Sequence, residues 1–260
     1  MTNAKNTGQG LDAHSEMGHS YALRQACFVT ISPAPGEPTA GPWRVASVRE
    51  LVRLLVDAAD PPAGRPWVVG VDGRSGGGKS TLAAKLHVAV SASAVIHTDD
   101  IAWHHSRFDW SELLARSVLQ PIRNGQPVGY RPPGWESHGR TGAIEVPTGL
   151  DLVIIEGVGA GRRELAHLLD AVVWVQSDYA EAERRGMARD VASGVNGDRV
   201  AAASFWHSWM AEELPFLEHQ RPWERAAVIV AGTPLLAHSD RQVVLALPLG
   251  GHYTPSSPSA

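Results

Sequence analysis

Residues 73–81 read Gly-Arg-Ser-Gly-Gly-Gly-Lys-Ser-Thr and satisfy the phosphate-loop pattern G-x-x-x-x-G-K-[ST] at every specified position. The apolar run 67–72 before this loop predicts a buried strand, and the spacing of apolar residues over 81–90 predicts a helix. A glycine-rich turn between a strand and a helix lets successive backbone N–H groups point toward one anion at the positive end of the helix. This segment therefore fixes the local fold as strand, loop and helix.

The chemistry of this loop predicts a bound nucleoside triphosphate, which we take to be ATP, together with Mg²⁺. Lys79 is expected to reach the outer phosphates, and the Ser80 hydroxyl is expected to hold the metal ion. The whole loop is predicted to contact the nucleotide, namely Gly73, Arg74, Ser75, Gly76, Gly77, Gly78, Lys79, Ser80 and Thr81. We expect the side chain of Arg74 to face solvent or the second substrate.

Composition narrows the class of protein. The chain has 260 residues, 43% hydrophobic and 19% charged, with a net charge of −4, which is typical of a soluble globular protein with no general attraction to nucleic acid or anionic membranes. A single cysteine, Cys27, excludes an internal disulfide framework, and residues 1–20 lack the apolar core of a signal peptide. We therefore expect a cytoplasmic protein, and a homo-oligomer is compatible with the sequence.

Predicted strands and helices alternate along most of the chain. After a helix capped by Ser47, strands are predicted at 67–72, 93–97, 151–156, 171–175 and 226–231, with an edge strand at 243–247. Helices are predicted at 81–90, 111–123, 162–169, 180–192 and 200–218. This order predicts a three-layer α/β fold of the P-loop NTPase type with a mainly parallel sheet. Residues 1–45 are predicted to be a flexible segment with one short strand at 26–31, residues 46–249 the single domain, and residues 250–260 a frayed tail.

Acidic residues stand at the ends of three predicted strands, where ligands gather in an open parallel sheet. These are Asp72, the pair Asp99–Asp100, and Glu156. Phosphoryl transfer needs one carboxylate on the side of the metal ion and another that orients or deprotonates the attacking hydroxyl. We predict Glu156 for the metal and Asp99 for the base; whether Asp99 or Asp100 is the base stays open.

The order of motifs resembles the uridine kinase and phosphoribulokinase group of P-loop kinases over roughly residues 65–232. The matching pieces are the phosphate loop, the Asp99-Asp100-Ile101 step, and the segments 119–125, 153–157 and 184–190. The resemblance implies that Asp99 activates the acceptor hydroxyl and that Glu156 helps to bind magnesium. It also implies that Arg185 and Arg189 lie over the triphosphate on a lid helix, where they would neutralise charge growing on the transferred group.

The acceptor half of the resemblance departs from the family pattern. Uridine kinases carry a Tyr-Asp-Phe segment followed by His-x-Arg, whereas this chain has Trp135 followed by His138 and Arg140 without the tyrosine and aspartate. We predict that the substrate contacts Asp99, Asp100, Trp135, His138 and Arg140. Uridine or cytidine is the acceptor that the resemblance implies, and another small alcohol (a pantothenate-like acid, a sugar or an antibiotic) is the alternative.

Other features leave further alternatives. A regulatory P-loop ATPase that acts on a protein partner remains open, but the Asn-Lys-x-Asp and Asp-x-x-Gly strings of GTPase switches do not occur. His97, His104 and His105 match no closed zinc pattern. Trp206 and Trp209 lie three residues apart on one helical face, which suits core packing and, as the alternative, a pocket wall.

Overall fold

We describe the fold from a computed structural model, which covers residues 30–59, 62–233 and 236–248. The predicted strand at 26–31 falls mainly outside these residues, as does the predicted tail at 250–260. Within the described residues, no helix is both long and apolar enough to cross a membrane.

One seven-stranded sheet organises the chain. Its strands are β1 (Arg44–Ser47), β2 (Trp67–Gly73), β3 (Ser93–His97), β6 (Leu152–Glu156), β7 (Ala171–Gln176), β8 (Val228–Ala231) and β9 (Gln242–Ala246), and they lie in the order β1-β9-β8-β7-β2-β6-β3. β2, β3, β6, β7 and β8 pair in parallel, whereas β9 is antiparallel to both of its neighbours. Two further strands, β4 (Val128–Tyr130) and β5 (Ile144–Val146), form a separate antiparallel pair.

The helices lie between these strands. They are α1 (Val48–Ala59), α2 (Lys79–Ala89), α3 (Thr98–Ala102), α4 (Ser111–Leu114), α5 (Gln120–Arg123), α6 (Pro133–Ser137), α7 (Tyr179–Ser193) and α8 (Arg199–Gln220). A π-helical turn at Ala115–Leu119 joins α4 to α5, so the predicted helix over 111–123 is one helical segment with a widened turn. The predicted helix over 162–169 is a 3₁₀ helix at Arg163–Leu168.

Alternating side chains of the sheet form two apolar cores, one on each face. Val69 and Val71 of β2 pack with α1 and α2, whereas Val68 packs with the segment from α3 to α5. A third cluster lies around Trp174 of β7 and Leu217 of α8. Helices cover both faces because strands that are buried on both sides need an apolar partner on each. The structure confirms the predicted α/β fold with a mainly parallel sheet.

Residues 30–47, the described part of the chain before α1, differ from the predicted flexible segment. Ile31, Ala34, Glu37 and Ala40 are buried, and β1 extends the sheet beside β9. Every third residue of this proline-rich stretch is buried. This spacing matches neither the period of a β-strand nor that of an α-helix, so apolar periodicity did not predict that the stretch is packed. The predicted N-cap of α1 is present, because the backbone N–H of Glu50 donates to Ser47 Oγ at 3.1 Å.

Candidate functional site

The phosphate loop connects β2 to α2 at the carboxyl edge of the sheet. Gly76 and Gly78 have positive φ angles of 72° and 99°, which favour glycine. A side chain at Gly76 would also overlap the carbonyl of Ala182 in α7, so the loop lies directly against that helix. The first turn of α2 has no side-chain cap, which leaves its N–H groups available to an anion.

Lys79 and Ser80 stand at the start of α2 as predicted for a phosphate loop. The Lys79 ammonium donates to the carbonyl of Arg74 at 2.9 Å, and the Ser80 hydroxyl donates to Glu156 Oε1 at 3.1 Å. A hydroxyl next to a carboxylate offers the hard oxygen ligands that Mg²⁺ prefers, usually completed by water and substrate phosphates. The residues present therefore fit the predicted magnesium ion.

Glu156 ends β6 and lies next to His97, which ends β3. The two residues are partners in the parallel register, and His97 Nδ1 lies 2.5 Å from Glu156 Oε2. Burial raises the pKa of Glu156, but the hydrogen bond from His97 and the charge of Lys79 outweigh it, so that the net pKa is lowered. The hydrogen bond to Glu156 raises the pKa of His97. Glu156 is thus held as a carboxylate next to Ser80.

Asp99 lies in α3 and faces the same cavity as Lys79 and Glu156. Burial raises its pKa; the charge of Lys79 acts against this rise and that of Glu156 adds to it. Asp100 has a different environment, because its Oδ1 accepts a hydrogen bond from Arg140 Nη2 at 2.7 Å and it does not line the cavity.

A cavity of about 630 Å³ joins these groups. On one side it is bounded by the loop and the sheet edge, through Ser75, Lys79, Ser80, Glu156 and Gly157. Another part of the lining is largely aromatic and includes Trp103, His104, Arg107, Phe205, Trp206 and Trp209. Trp206 and Trp209 were predicted either to pack in the core or to line a pocket, and the structure shows both roles. Trp206 is buried in the packing of α8, and both residues line the cavity.

Trp135, His138 and Arg140, which the resemblance to uridine kinases predicted as substrate contacts, do not line this cavity. Trp135 and Arg140 instead contact Asp100 of α3. Trp135 is buried and donates through Nε1 to the carbonyl of Asp100 at 2.8 Å. The Arg140 guanidinium lies 3.6 Å from the centre of the Trp135 ring. His138 stacks on His104, a residue of the cavity lining, with ring centres 3.8 Å apart.

The two predicted lid arginines belong to α7. Arg185 donates to Glu181 Oε1 at 2.7 Å and to the carbonyl of Gly232 at 2.8 Å. Arg189 lines the cavity and donates twice to Asp190 Oδ1, at 3.0 and 2.9 Å. Helix α7 lies against the phosphate loop at Gly76, and each arginine is paired with a carboxylate of its own helix.

The expectation that Arg74 faces solvent or the second substrate is wrong. Its side chain is 3% exposed and pairs with Glu37, which is fully buried, at 2.8 Å. Arg74 does not line the cavity; its guanidinium pairs with Glu37 of residues 30–43 and lies 5.4 Å from the centre of the Tyr179 ring. Thr81 is exposed at the surface of α2, and among the loop residues Ser75, Lys79 and Ser80 line the cavity.

Sequence reasoning missed two carboxylates that contact the phosphate loop. Glu37 pairs with Arg74, and Glu213 of α8 accepts the backbone N–H of Ser75 at 3.0 Å and Trp209 Nε1 at 2.5 Å. No local motif marks either residue, since both act across long sequence separations. Asp72, singled out from its strand end, is buried in the loop's base, where it accepts the N–H groups of Gly73, Gly159 and Gly161.

Within the described ranges, no cluster of three His, Cys, Asp or Glu side chains could enclose a metal ion, so a closed zinc site finds no support there. His97 is bonded to Glu156, and His104 is stacked on His138. A magnesium ion held by few protein ligands does not need such a cluster.

Many solved structures are similar to this chain, and two of them illustrate the likeness. One, from Silicibacter sp. TM1040, is described as a "putative fructose transport system kinase"; it is 21% identical over 61% of this chain and 89% of its own length, with a TM-score of 0.47. The other, from Bacillus stearothermophilus, is described as a "possible uridine kinase"; it is 18% identical over 69% of this chain and 98% of its own length, with a TM-score of 0.38. No protein-family model and no curated protein sequence matches the chain.

Proposed function

We propose that this protein is an ATP- and Mg²⁺-dependent phosphotransferase that moves the γ-phosphoryl group of ATP to a hydroxyl of a small molecule. One observation carries the proposal: Lys79, Ser80 and Glu156 share a single cavity with the carboxylate of Asp99. A phosphate loop with a metal-side carboxylate serves the donor, and a separate carboxylate with a raised pKa serves as a base.

Each residue has a role in this proposal. Lys79 and the loop N–H groups bind the phosphates, and Ser80 with Glu156 would hold Mg²⁺, which neutralises charge on the phosphates when bound. Asp99 accepts the proton of the attacking hydroxyl. Arg185 and Arg189 stabilise negative charge on the transferred group. To do so, they exchange their present carboxylate partners for phosphate oxygens, which are also negatively charged hydrogen-bond acceptors.

The acceptor lies against the aromatic side of the cavity in this proposal. Trp103, Phe205 and Trp209 offer flat apolar surface to a ring or a carbon chain, and they line the same cavity as Asp99 and the phosphate loop. Uridine or cytidine follows from the motif resemblance. A pantothenate-like acid, a sugar or an antibiotic is the alternative, because Trp135, His138 and Arg140 do not form the wall. We further propose that the protein acts in the cytoplasm on small molecules rather than nucleic acid.

The test is an ATP-consumption screen with Mg²⁺ across ribonucleosides, deoxynucleosides, pantothenate, sugars and aminoglycosides, with Lys79→Ala as the inactive control. Stimulation by uridine or cytidine would support the acceptor that the resemblance implies. Stimulation by a different alcohol would keep the mechanism and change the substrate. Bound ATP without stimulation by any acceptor would instead favour a regulatory ATPase, whose turnover should respond to a macromolecular partner.

A further inference from the structure

Residues 30–43, the N-terminal strap, pack against the phosphate loop and the start of α7. The N–H of Ser32 donates to Asp178 Oδ2 at 3.1 Å, and the carbonyl of Ser32 accepts the N–H of Tyr179 at 2.9 Å. Ala40 is joined to β7 because its N–H donates to Gln176 Oε1 at 2.9 Å. The strap is therefore fixed at several points around the loop.

The carboxylate of Glu37 is the polar centre of the strap. It is fully buried as a side chain, and it accepts hydrogen bonds from Arg74 Nη2 at 2.8 Å, Trp174 Nε1 at 2.6 Å and Gln176 Nε2 at 2.9 Å. Three donors around one carboxylate offset much of the loss of water that burial imposes. This environment holds Glu37 in one orientation toward Arg74.

Arg74 connects the strap to the groups that meet the phosphates. Its guanidinium is buried, and within the described part of the chain its Nε and Nη1 atoms have no hydrogen-bond partner, so that Glu37 is its main anchor. Its backbone carbonyl accepts both the N–H of Gly77 at 3.0 Å and the ammonium of Lys79 at 2.9 Å. A shift of Arg74 would therefore displace the loop backbone and Lys79 together.

We propose that Glu37 is a positioning residue of the phosphate loop, and that the strap is thereby part of the nucleotide-binding machinery. Glu37 acts through Arg74 and touches no substrate. Its loss leaves a buried guanidinium without its counter-charge, and the side chain then relaxes toward water and moves the loop with it. This inference rests on the proposed function for the identity of the ligand, a nucleoside triphosphate.

The test is the Glu37→Gln variant in the full chain, which keeps the size of the side chain and removes its charge. We expect the Kd for MgATP, measured by calorimetry, to rise at least about tenfold, because small misplacements of a preorganised site are expensive. Inorganic tripolyphosphate should lose affinity by the same factor, since it contacts the loop without the nucleoside.

The matched control is Asp170→Asn at the opposite edge of the sheet. Asp170 also forms a largely buried ion pair, with Arg65 at 2.7 Å, and it precedes β7 at the end of the strands away from the phosphate loop. This variant should lower the unfolding temperature and leave the Kd for MgATP unchanged. A purely structural role of Glu37 predicts the same behaviour for Glu37→Gln, and that result would overturn the inference.

A second variant covers the case in which Glu37→Gln does not fold. The double replacement Glu37→Gln with Arg74→Gln removes both charges, so that no buried charge is left uncompensated. This protein still lacks the ion pair that fixes Arg74 to the strap, so the loop has lost its anchor even though no charge is uncompensated. Weaker MgATP binding by this folded protein supports the positioning role, and wild-type affinity contradicts it. If the wild-type protein itself fails to bind MgATP, the proposed function falls and this inference falls with it.

Discussion

At the scale of single residues, Asp99 and Asp100 show how adjacent carboxylates acquire different properties. Successive residues of a helix point about 100° apart, so the short helix α3 directs the two side chains to different surroundings. Asp99 lines the same cavity as Lys79 and Glu156. Asp100 instead pairs with Arg140, and its backbone carbonyl accepts a hydrogen bond from the indole of Trp135. These surroundings favour Asp99 over Asp100 as the base that we propose.

The Asp99→Asn variant tests this assignment. We expect phosphoryl transfer to fall by about 10²–10⁴-fold, the usual contribution of a positioned base, while MgATP binding stays close to that of the wild type. Asp100→Asn is the matched control, and it should retain most of the transfer rate. The opposite pattern, with activity lost in Asp100→Asn alone, would move the base by one residue. Both variants should be assayed with the acceptor that the screen identifies.

The pH dependence of the same reaction follows from the raised pKa of Asp99. A base works in its ionised form, so kcat/KM should fall as the pH is lowered through this pKa, at a higher pH than the ordinary value of 3.8 implies. The residual activity of Asp99→Asn should lack this acid limb. If the acid limb of the pH profile persists in Asp99→Asn, it arises from another titrating group. His97, which contacts Glu156, would then be the first residue to substitute.

At the scale of elements, the contact between α7 and α8 shapes the aromatic wall. Gly186 lies in α7 where the indole ring of Trp206 packs against it, and a side chain at this position would overlap that ring. Glu213 ties α8 to the phosphate loop through the N–H of Ser75. The positions of α7, the aromatic wall and the phosphate loop are thus set by direct contacts among them.

The Gly186→Ala variant measures how tightly this contact is packed. Alanine favours a helix over glycine by about 1 kcal/mol, but overpacking a tight interface costs about 1–3 kcal/mol. We expect a net loss in the free energy of unfolding, measured with urea. Gly129→Ala is the control, because nothing lies within 4 Å of its new methyl group. If Gly186→Ala is as stable as the control, the helices separate more easily than their packing suggests.

At the scale of the whole molecule, the site draws on segments from most of the chain. Residues 30–43, the loop after β2, the ends of β3 and β6, and both α7 and α8 contribute to it. A ligand that binds this assembled site binds the folded state and not the unfolded chain. Nucleotide binding should therefore be visible as added stability of the entire protein.

We expect MgATP to raise the unfolding temperature in a concentration-dependent way. At a hundredfold excess over Kd the added stability is about 2.7 kcal/mol, which corresponds to roughly 5–10 °C for a domain of this size. Removing Mg²⁺ with EDTA should abolish most of the shift, because the Ser80 and Glu156 oxygens then lack their ion. Lys79→Ala should show little shift at any nucleotide concentration, and an unchanged shift in that variant would contradict the placement of ATP in this loop.

The phosphate loop, the alternation of strands and helices, and the placement of Asp99 and Glu156 at one sheet edge are all predictable from the amino-acid sequence. Loop chemistry and apolar periodicity are local, and the parallel sheet that they imply brings strand ends together. The contact of Arg74 with Glu37 and that of Glu213 with Ser75 become visible only in the folded protein. These contacts span 37 and 138 residues, and they depend on how whole elements pack rather than on any local pattern.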